Sequence, residues 1–170
     1  DEIVTVMSVP HEMTIPRRLA GRYLKIELLG ISGSFDFVFD KLTFKTQTSV
    51  TNEAPALAST TDPLVRDIYK VGLNTLKECM QTVYEDGPKR DRRLWIGDLY
   101  LEALANAHTF KNHELTKHCL YLLAAFANDE GLLHATLLEK PQPHPHYGTH
   151  TLDYCLIYNV ALLEYLKETG

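Results

Sequence analysis

Glu85-Asp86-Gly87-Pro88-Lys89-Arg90-Asp91-Arg92-Arg93-Leu94-Trp95-Ile96-Gly97-Asp98 is a charged segment between two apolar stretches with helical spacing. It holds four carboxylates, four cations, a Gly-Pro pair and the only tryptophan of the chain. Asp86-Gly87-Pro88 stops the helix before it, because proline lacks the amide a helix interior needs and drives its predecessor out of the helical region. Gly97-Asp98 is expected to open the next helix, with the Asp98 carboxylate as its N-cap. The segment is thereby a loop pinned at both ends. Arginines interleaved with aspartates can fix carboxylate rotamers through bidentate hydrogen bonds, and an aromatic face beside carboxylates suits the apolar side of a sugar ring. The loop reads as a polyol or sugar site.

On both sides of the loop the apolar residues recur at helical spacing. Asp62-Pro63 supplies a cap with proline in the first turn, and Leu64, Ile68, Val71, Leu76, Met80 and Val83 form one stripe up to the loop. A second helix is expected from about Asp98 to Phe110, where Ala103 and Ala107 allow close helix contact. A third runs from about His113 to Asn128, after a tight turn at Lys111-Asn112. A fourth, from about Leu152 to Thr169, is apolar around most of its circumference and is expected to be buried on several sides. The long connection between the third and fourth carries Pro141, Pro143 and Pro145, and its length favours a functional or lid role.

Before residue 50 the pattern is different. Arg22 to Leu29, Phe35 to Asp40 and Leu42 to Thr46 alternate apolar and polar residues, as half-buried strands do. Two or three strands do not make a stable sheet alone, so they read as the last antiparallel strands of a sandwich. The fold class expected is mostly α. Residues 1–50 are strands from a β-sandwich domain, 51–61 a linker, and 62–170 a set of helical hairpins.

The run Asp86 to Asp98 resembles the signature of the bacterial α-L-rhamnosidases of glycoside hydrolase family 78, and Leu152-Asp153-Tyr154-Cys155-Leu156 with the helix after it resembles a later helix of the same enzymes. The resemblance implies an (α/α)6 barrel preceded by β-sandwich domains, and inverting hydrolysis that releases terminal α-L-rhamnose without a cofactor. Better known members carry a Glu directly after the Arg-Asp pair, and that Glu is the general acid. Here Arg92 follows Asp91 and the motif is one residue shorter, so Asp91 is expected in the acid role. Asp86 and Asp98 are expected to accept hydrogen bonds from sugar hydroxyls, with Arg90 orienting them and Trp95 lining the subsite. The resemblance places the catalytic base in a later hairpin. The chain is accordingly expected to be a piece of a larger barrel that is incompetent by itself and whose partners are a rhamnose-containing glycoside and the rest of the same polypeptide.

Composition narrows the function classes. The 170 residues carry a net charge of −5, against nonspecific nucleic-acid binding, which needs clustered cations. No apolar run approaches the roughly 20 residues of a membrane span, and no signal-peptide pattern opens the chain. Cys79, Cys119 and Cys155 sit in apolar helical stretches and read as buried thiols of a reducing compartment, which favours a cytoplasmic location. His144, His146 and His150 lie in a proline-spaced extended segment that does not present a zinc ligand set, so no metal site is expected. Asp153 and Tyr154 are candidates for polar groups at the cavity mouth, while Glu102, one turn beyond Asp98, is given a surface or structural role. Two other classes stay open: a noncatalytic helical module that binds sugar or a partner, and a six-hairpin glycosidase of other specificity.

Overall fold

The computed structural model describes residues 3–4, 11–15, 17–34 and 36–170, which divide into two units, Asp1–Phe44 and Lys45–Gly170. In the second unit, helix α1 spans Pro63–Cys79 and starts as its sequence dictates. Asp62 accepts from the Leu64 amide at 2.8 Å, and proline fills a first-turn position that needs no amide partner. The helix stops at Cys79 instead of reaching Val83. Its last carbonyls are taken from outside: Thr48 Oγ1 donates to the Lys77 oxygen, the Ser49 amide to Met80, and Gln81 Nε2 to Glu78. With those acceptors occupied, the chain reverses through a Met80–Tyr84 bridge, and Met80, Val83 and Tyr84 still enter the core. Residues 51–61, expected as a linker, form no helix or strand. Asn52 and Pro55 are nevertheless tied in, by Asn52 Nδ2 to the Phe110 oxygen and by Tyr69 Oη to the Pro55 oxygen.

Strand β1, Leu94–Trp95, runs straight into helix α2, Ile96–His108. The N-cap is therefore Trp95, without any side-chain cap, and not Asp98 as expected. The physical reason is strand pairing. Trp95 stands opposite Thr136 of strand β2, Thr136–Leu138, and the Ile96 amide donates to the Ala135 oxygen at 3.0 Å, so strand pairing holds Trp95 extended and takes up one of the free amides of the helix's first turn. Asp98 lies in the first turn, where its charge favours the positive end of the helix dipole.

Helix α3, His113–Ala125, is capped by Asn112, which accepts from the Leu115 amide. Asn106 of α2, fully buried, holds that cap in place: its Nδ2 donates to the Asn112 oxygen and its Oδ1 accepts the Asn112 amide, both at 3.0 Å. Asn106→Ala strands both groups of Asn112 and should cost about 2–3 kcal/mol. A urea titration followed by Trp95 fluorescence should show the lower midpoint, and an unchanged midpoint would show the pair to be dispensable. The third helix ends before the expected Asn128, because Asn128 Oδ1 instead accepts from the Glu130 and Leu132 amides around Gly131, whose φ is 78°.

The connection expected as a long loop contains β2 and a third strand, β3, His144–Pro145, giving an antiparallel sheet in the order β1-β2-β3. Strands of two and three residues are too short to show alternation in sequence, and Pro145 is tolerated because β3 is an edge strand. Helix α4 covers Leu152–Thr169, and packs chiefly on α2 and next on α3. It is not buried on several sides: Tyr154, Ile157, Tyr158 and Ala161 face the core, whereas Leu152, Leu156, Leu163 and Leu166 are exposed. Similarly, the α1 stripe is covered at Leu76 but open at Leu64, Ile68 and Val71. The apolar periods are right, and what lies against them within residues 45–170 covers only part of each.

In the first unit no strand ladder forms among the described residues, so the antiparallel strands expected over Arg22 to Leu29 and Leu42 to Thr46 are not present. Phe35, the start of the expected Phe35 to Asp40 strand, lies outside the described residues. The reason is physical: Tyr23, Leu29, Val38 and Phe44 are exposed, and short strands with one uncovered apolar face do not hold a ladder unaided. Local contacts remain, such as the Phe37–Phe39 edge-on ring pair at 5.0 Å. The mostly helical class holds for the chain.

Candidate functional site

Asp86 organises the charged loop. Its amide donates to the Arg93 oxygen and its Oδ1 accepts the Arg93 amide at 3.0 Å, closing the loop across its base. The Asp86 side chain is wholly inaccessible, and its Oδ2 makes no hydrogen bond; Arg90 Nε stands 3.5 Å from it. The arginine–aspartate contact is thus a single-point ion pair and not the bidentate fork expected from the sequence. Gly87, at φ 152°, and Arg92, at φ 55°, make the sharp turns on either side of residues 88–91, and Arg92 Nε donates to the Pro88 oxygen at 2.7 Å. Asp91 is exposed on this turn. The loop also serves the core: Glu85 and Asp86 are buried, and Leu94 and Ile96 are among the most enclosed side chains.

The structure brings Asp86, Arg90 and Asp98 into one electrostatic group. Burial pushes the Asp98 carboxyl up, the Asp86 charge adds to that, and Arg90 opposes both. Glu102 joins the group, so of the surface or structural role expected for it, the surface position is not the one it takes. Its Oε2 is sealed from solvent without a hydrogen-bond partner, and its carboxyl is pushed up to about 8, first by burial and then by the Asp98, Asp86 and Glu85 charges. A hydrogen bond with Cys79 works in the other direction. The same burial, with Glu102 beside it, pushes the Cys79 thiol up to about 12. The four-residue spacing from Asp98 puts Glu102 on the same helix face, and that spacing was the available signal.

Trp95, at the end of the loop, is half-buried, with its Nε1 buried and unpartnered. Tyr154 of α4 meets it edge-on, with ring centroids 6.4 Å apart at 89°. The same tyrosine lies against Gly97, where an added Cβ would stand 3.0 Å from the hydroxyl and 3.1 Å from Cζ. Glycine here permits the close approach that seats Trp95. Gly97→Ala should therefore cost about 1–2 kcal/mol by overpacking and change Trp95 emission, and adding Tyr154→Phe should recover part of both. A stable Gly97→Ala protein with unaltered emission would show that Tyr154 does not set the tryptophan. Tyr154, expected at the cavity mouth, is in this way brought to the site.

The histidines serve the loop's own architecture. His150 Nδ1 donates to the Leu133 oxygen at 3.0 Å, its ring lies 4.1 Å from that of His134, and His144 Nδ1 meets the Gln142 oxygen. Burial and the His150 ring hold His134 below the usual imidazole value. Among the described residues, no three His, Cys, Asp or Glu side chains are grouped to hold a metal ion. All three cysteines are free; Cys79 and Cys119 are buried as expected, and Cys155 is half-buried. Among the described residues, no helix is long and apolar enough to cross a membrane.

Comparison with known proteins bears directly on this geometry. Residues 1–46 match the glycosyl hydrolase family 78 alpha-rhamnosidase N-terminal domain, and residues 54–160 match the bacterial alpha-L-rhamnosidase 6 hairpin glycosidase domain. A solved structure of a rhamnosidase from Klebsiella oxytoca with rhamnose bound is similar, with a TM-score of 0.67 and 45% sequence identity over 71% of this chain. The chain spans 23% of that rhamnosidase. No curated protein matches. The six-hairpin match covers the charged loop, the acid group and the first half of α4, and through it the chain belongs to the α-L-rhamnosidases of glycoside hydrolase family 78.

Proposed function

We propose that the full-length protein hydrolyses terminal α-L-rhamnosides with inversion at the anomeric carbon. The observation that carries this is the loop from Asp86 to Asp98, closed at its base by Asp86 and lying inside the six-hairpin match. In an inverting glycosidase one carboxylic acid protonates the leaving oxygen while a second carboxylate, about 6.5–9.5 Å away, activates water on the other face of the ring. Asp91 takes the first role. It is exposed on the turn, where a leaving group can reach it, while Asp86 is sealed below. Asp98 accepts from ring hydroxyls; Asp86, expected in the same role, is sealed from them and instead closes the loop and holds Arg90 by its ion pair, and Trp95 presents the apolar wall.

The second carboxylate is assigned to a later hairpin of the barrel, and residues 1–50 to the end of a β-sandwich domain. The exposed Leu64, Ile68, Val71, Leu156 and Leu163 support a barrel with more helices packed on α1 and α4. The partners are then a rhamnose-containing glycoside and the remainder of the polypeptide, with no cofactor. Full-length protein should release rhamnose from an aryl α-L-rhamnoside, and residues 1–170 alone should release none that can be measured. Turnover by residues 1–170 would place the base within them.

A further inference from the structure

We propose that Tyr147 is a specificity-determining residue for the leaving group: it stands beside the sugar site as a wall on which the ring that departs from rhamnose, a pyranose or an aryl group, lays its flat face. The proposal rests on the reading of Trp95 as the wall of the rhamnose subsite.

The sheet brings Tyr147 to that place. Along β2 and the residues before it, Leu133, Ala135 and Leu137 enter the core, so His134 and Thr136 belong to the opposite face. Pairing continues past the end of the strand, since Ala135 accepts from the Ile96 amide and donates to the Thr149 oxygen. Trp95 stands opposite Thr136, which makes His134 its diagonal neighbour on one face, at about 7–8 Å. His134 in turn meets the Tyr147 ring edge-on, with centroids 5.9 Å apart at 87°. From Trp95, Tyr147 is reached through that one residue.

Tyr147 is also held in place. It sits in a turn closed by Thr149 Oγ1, which donates to the His146 oxygen at 2.6 Å, and Gly148 at φ 79° gives the turn its left-handed residue. Both ends of the turn are tied to the chain at β2, by the His146 amide to the Thr136 oxygen at 3.3 Å and by the Ala135 amide to the Thr149 oxygen at 2.8 Å. His134 beneath it is fixed as well: the residue is 7% exposed, and the His150 ring, bound through Nδ1 to the Leu133 oxygen, lies 4.1 Å away. His134 Nδ1 is enclosed without a hydrogen-bond partner, a cost that the fold bears at the contact under Tyr147. Yet Tyr147 itself is 79% exposed. An aromatic ring so anchored and so uncovered presents a face, and the faces of sugar and aryl rings stack on such a surface. Rhamnose is placed at Trp95, so the leaving group is the part of the substrate left to reach Tyr147.

The test uses the full-length protein, an aryl α-L-rhamnoside as substrate and free L-rhamnose as competitive inhibitor. Tyr147→Ala should raise KM for the aryl rhamnoside about two- to tenfold and leave the inhibition constant of rhamnose unchanged, because rhamnose carries no leaving group. Tyr147→Phe should keep the wild-type KM, since the ring and not the hydroxyl makes the contact. His134→Ala, which removes the ring under Tyr147, should reproduce the split seen for Tyr147→Ala. An unchanged KM in Tyr147→Ala overturns the proposal. So does an equal rise in KM and in the rhamnose constant, which is what a general loosening of the site gives. If wild-type protein neither hydrolyses the aryl rhamnoside nor is inhibited by rhamnose, the sugar-site reading itself fails and the proposal falls with it.

Discussion

Asp91→Asn in the full-length protein should lower kcat/KM for a rhamnoside with a sugar or alkyl leaving group by about 10²–10⁴-fold, and by far less for an activated aryl rhamnoside. Protonation of the departing oxygen matters in proportion to how poorly that oxygen leaves, so the two substrates separate the acid from every other role. The observation behind this is positional. Asp91 follows Arg90 where better known relatives carry a Glu as the next residue, and it is the carboxylate that the turn of residues 88–91 leaves exposed while Glu85 and Asp86 are buried. The quantity to measure is the ratio of the two losses. A ratio near one for Asp91→Asn, with a large ratio for another carboxylate, would move the acid elsewhere.

Asp98→Asn should behave differently, reducing kcat/KM for both substrates by a similar factor of about 10²–10³, and Asp86→Asn, which acts through the loop it closes, should likewise lower both alike. Hydroxyl contacts that tighten in the transition state are indifferent to the leaving group. Asparagine at 86 keeps an oxygen for the Arg93 amide, so the loop base survives and the loss reports the charge facing Arg90. For the wild type, burial and the Asp86 charge raise the Asp98 value, so the acid-side fall in rhamnose affinity should lie above the usual carboxylate range. Should Asp86→Asn cripple the poor leaving group alone, Asp86 would be donating a proton and not only bracing the loop.

Where the physics is local, the fold was legible in the sequence. Asp62-Pro63 names the start of α1 because a capping oxygen and a proline act within one turn, and Leu152 to Thr169 shows its helix through apolar content alone. Where distant segments decide, the sequence misleads. Nothing near Val83 announces that Thr48 and Ser49 will take the carbonyls that end α1, and nothing near Asp98 announces that Ala135 will satisfy the amide at the start of α2. The sheet was invisible because its strands are two or three residues long and come from three places. At the site, the loop could be read as a unit from its charges and its tryptophan. The membership of Glu102 could not, since a carboxylate on a helix is ordinarily solvated and only the packing of α1 against α2 seals this one.

The proposed hydrolysis is tested most directly by proton NMR of an aryl α-L-rhamnoside during turnover by full-length protein, read before the released sugar mutarotates. Direct attack by water on the face opposite the departing oxygen gives β-L-rhamnose as the first product, with the α anomer growing in later. First appearance of α-L-rhamnose would mean a covalent intermediate and a nucleophile close to Asp91, and would contradict the inverting roles assigned to this loop.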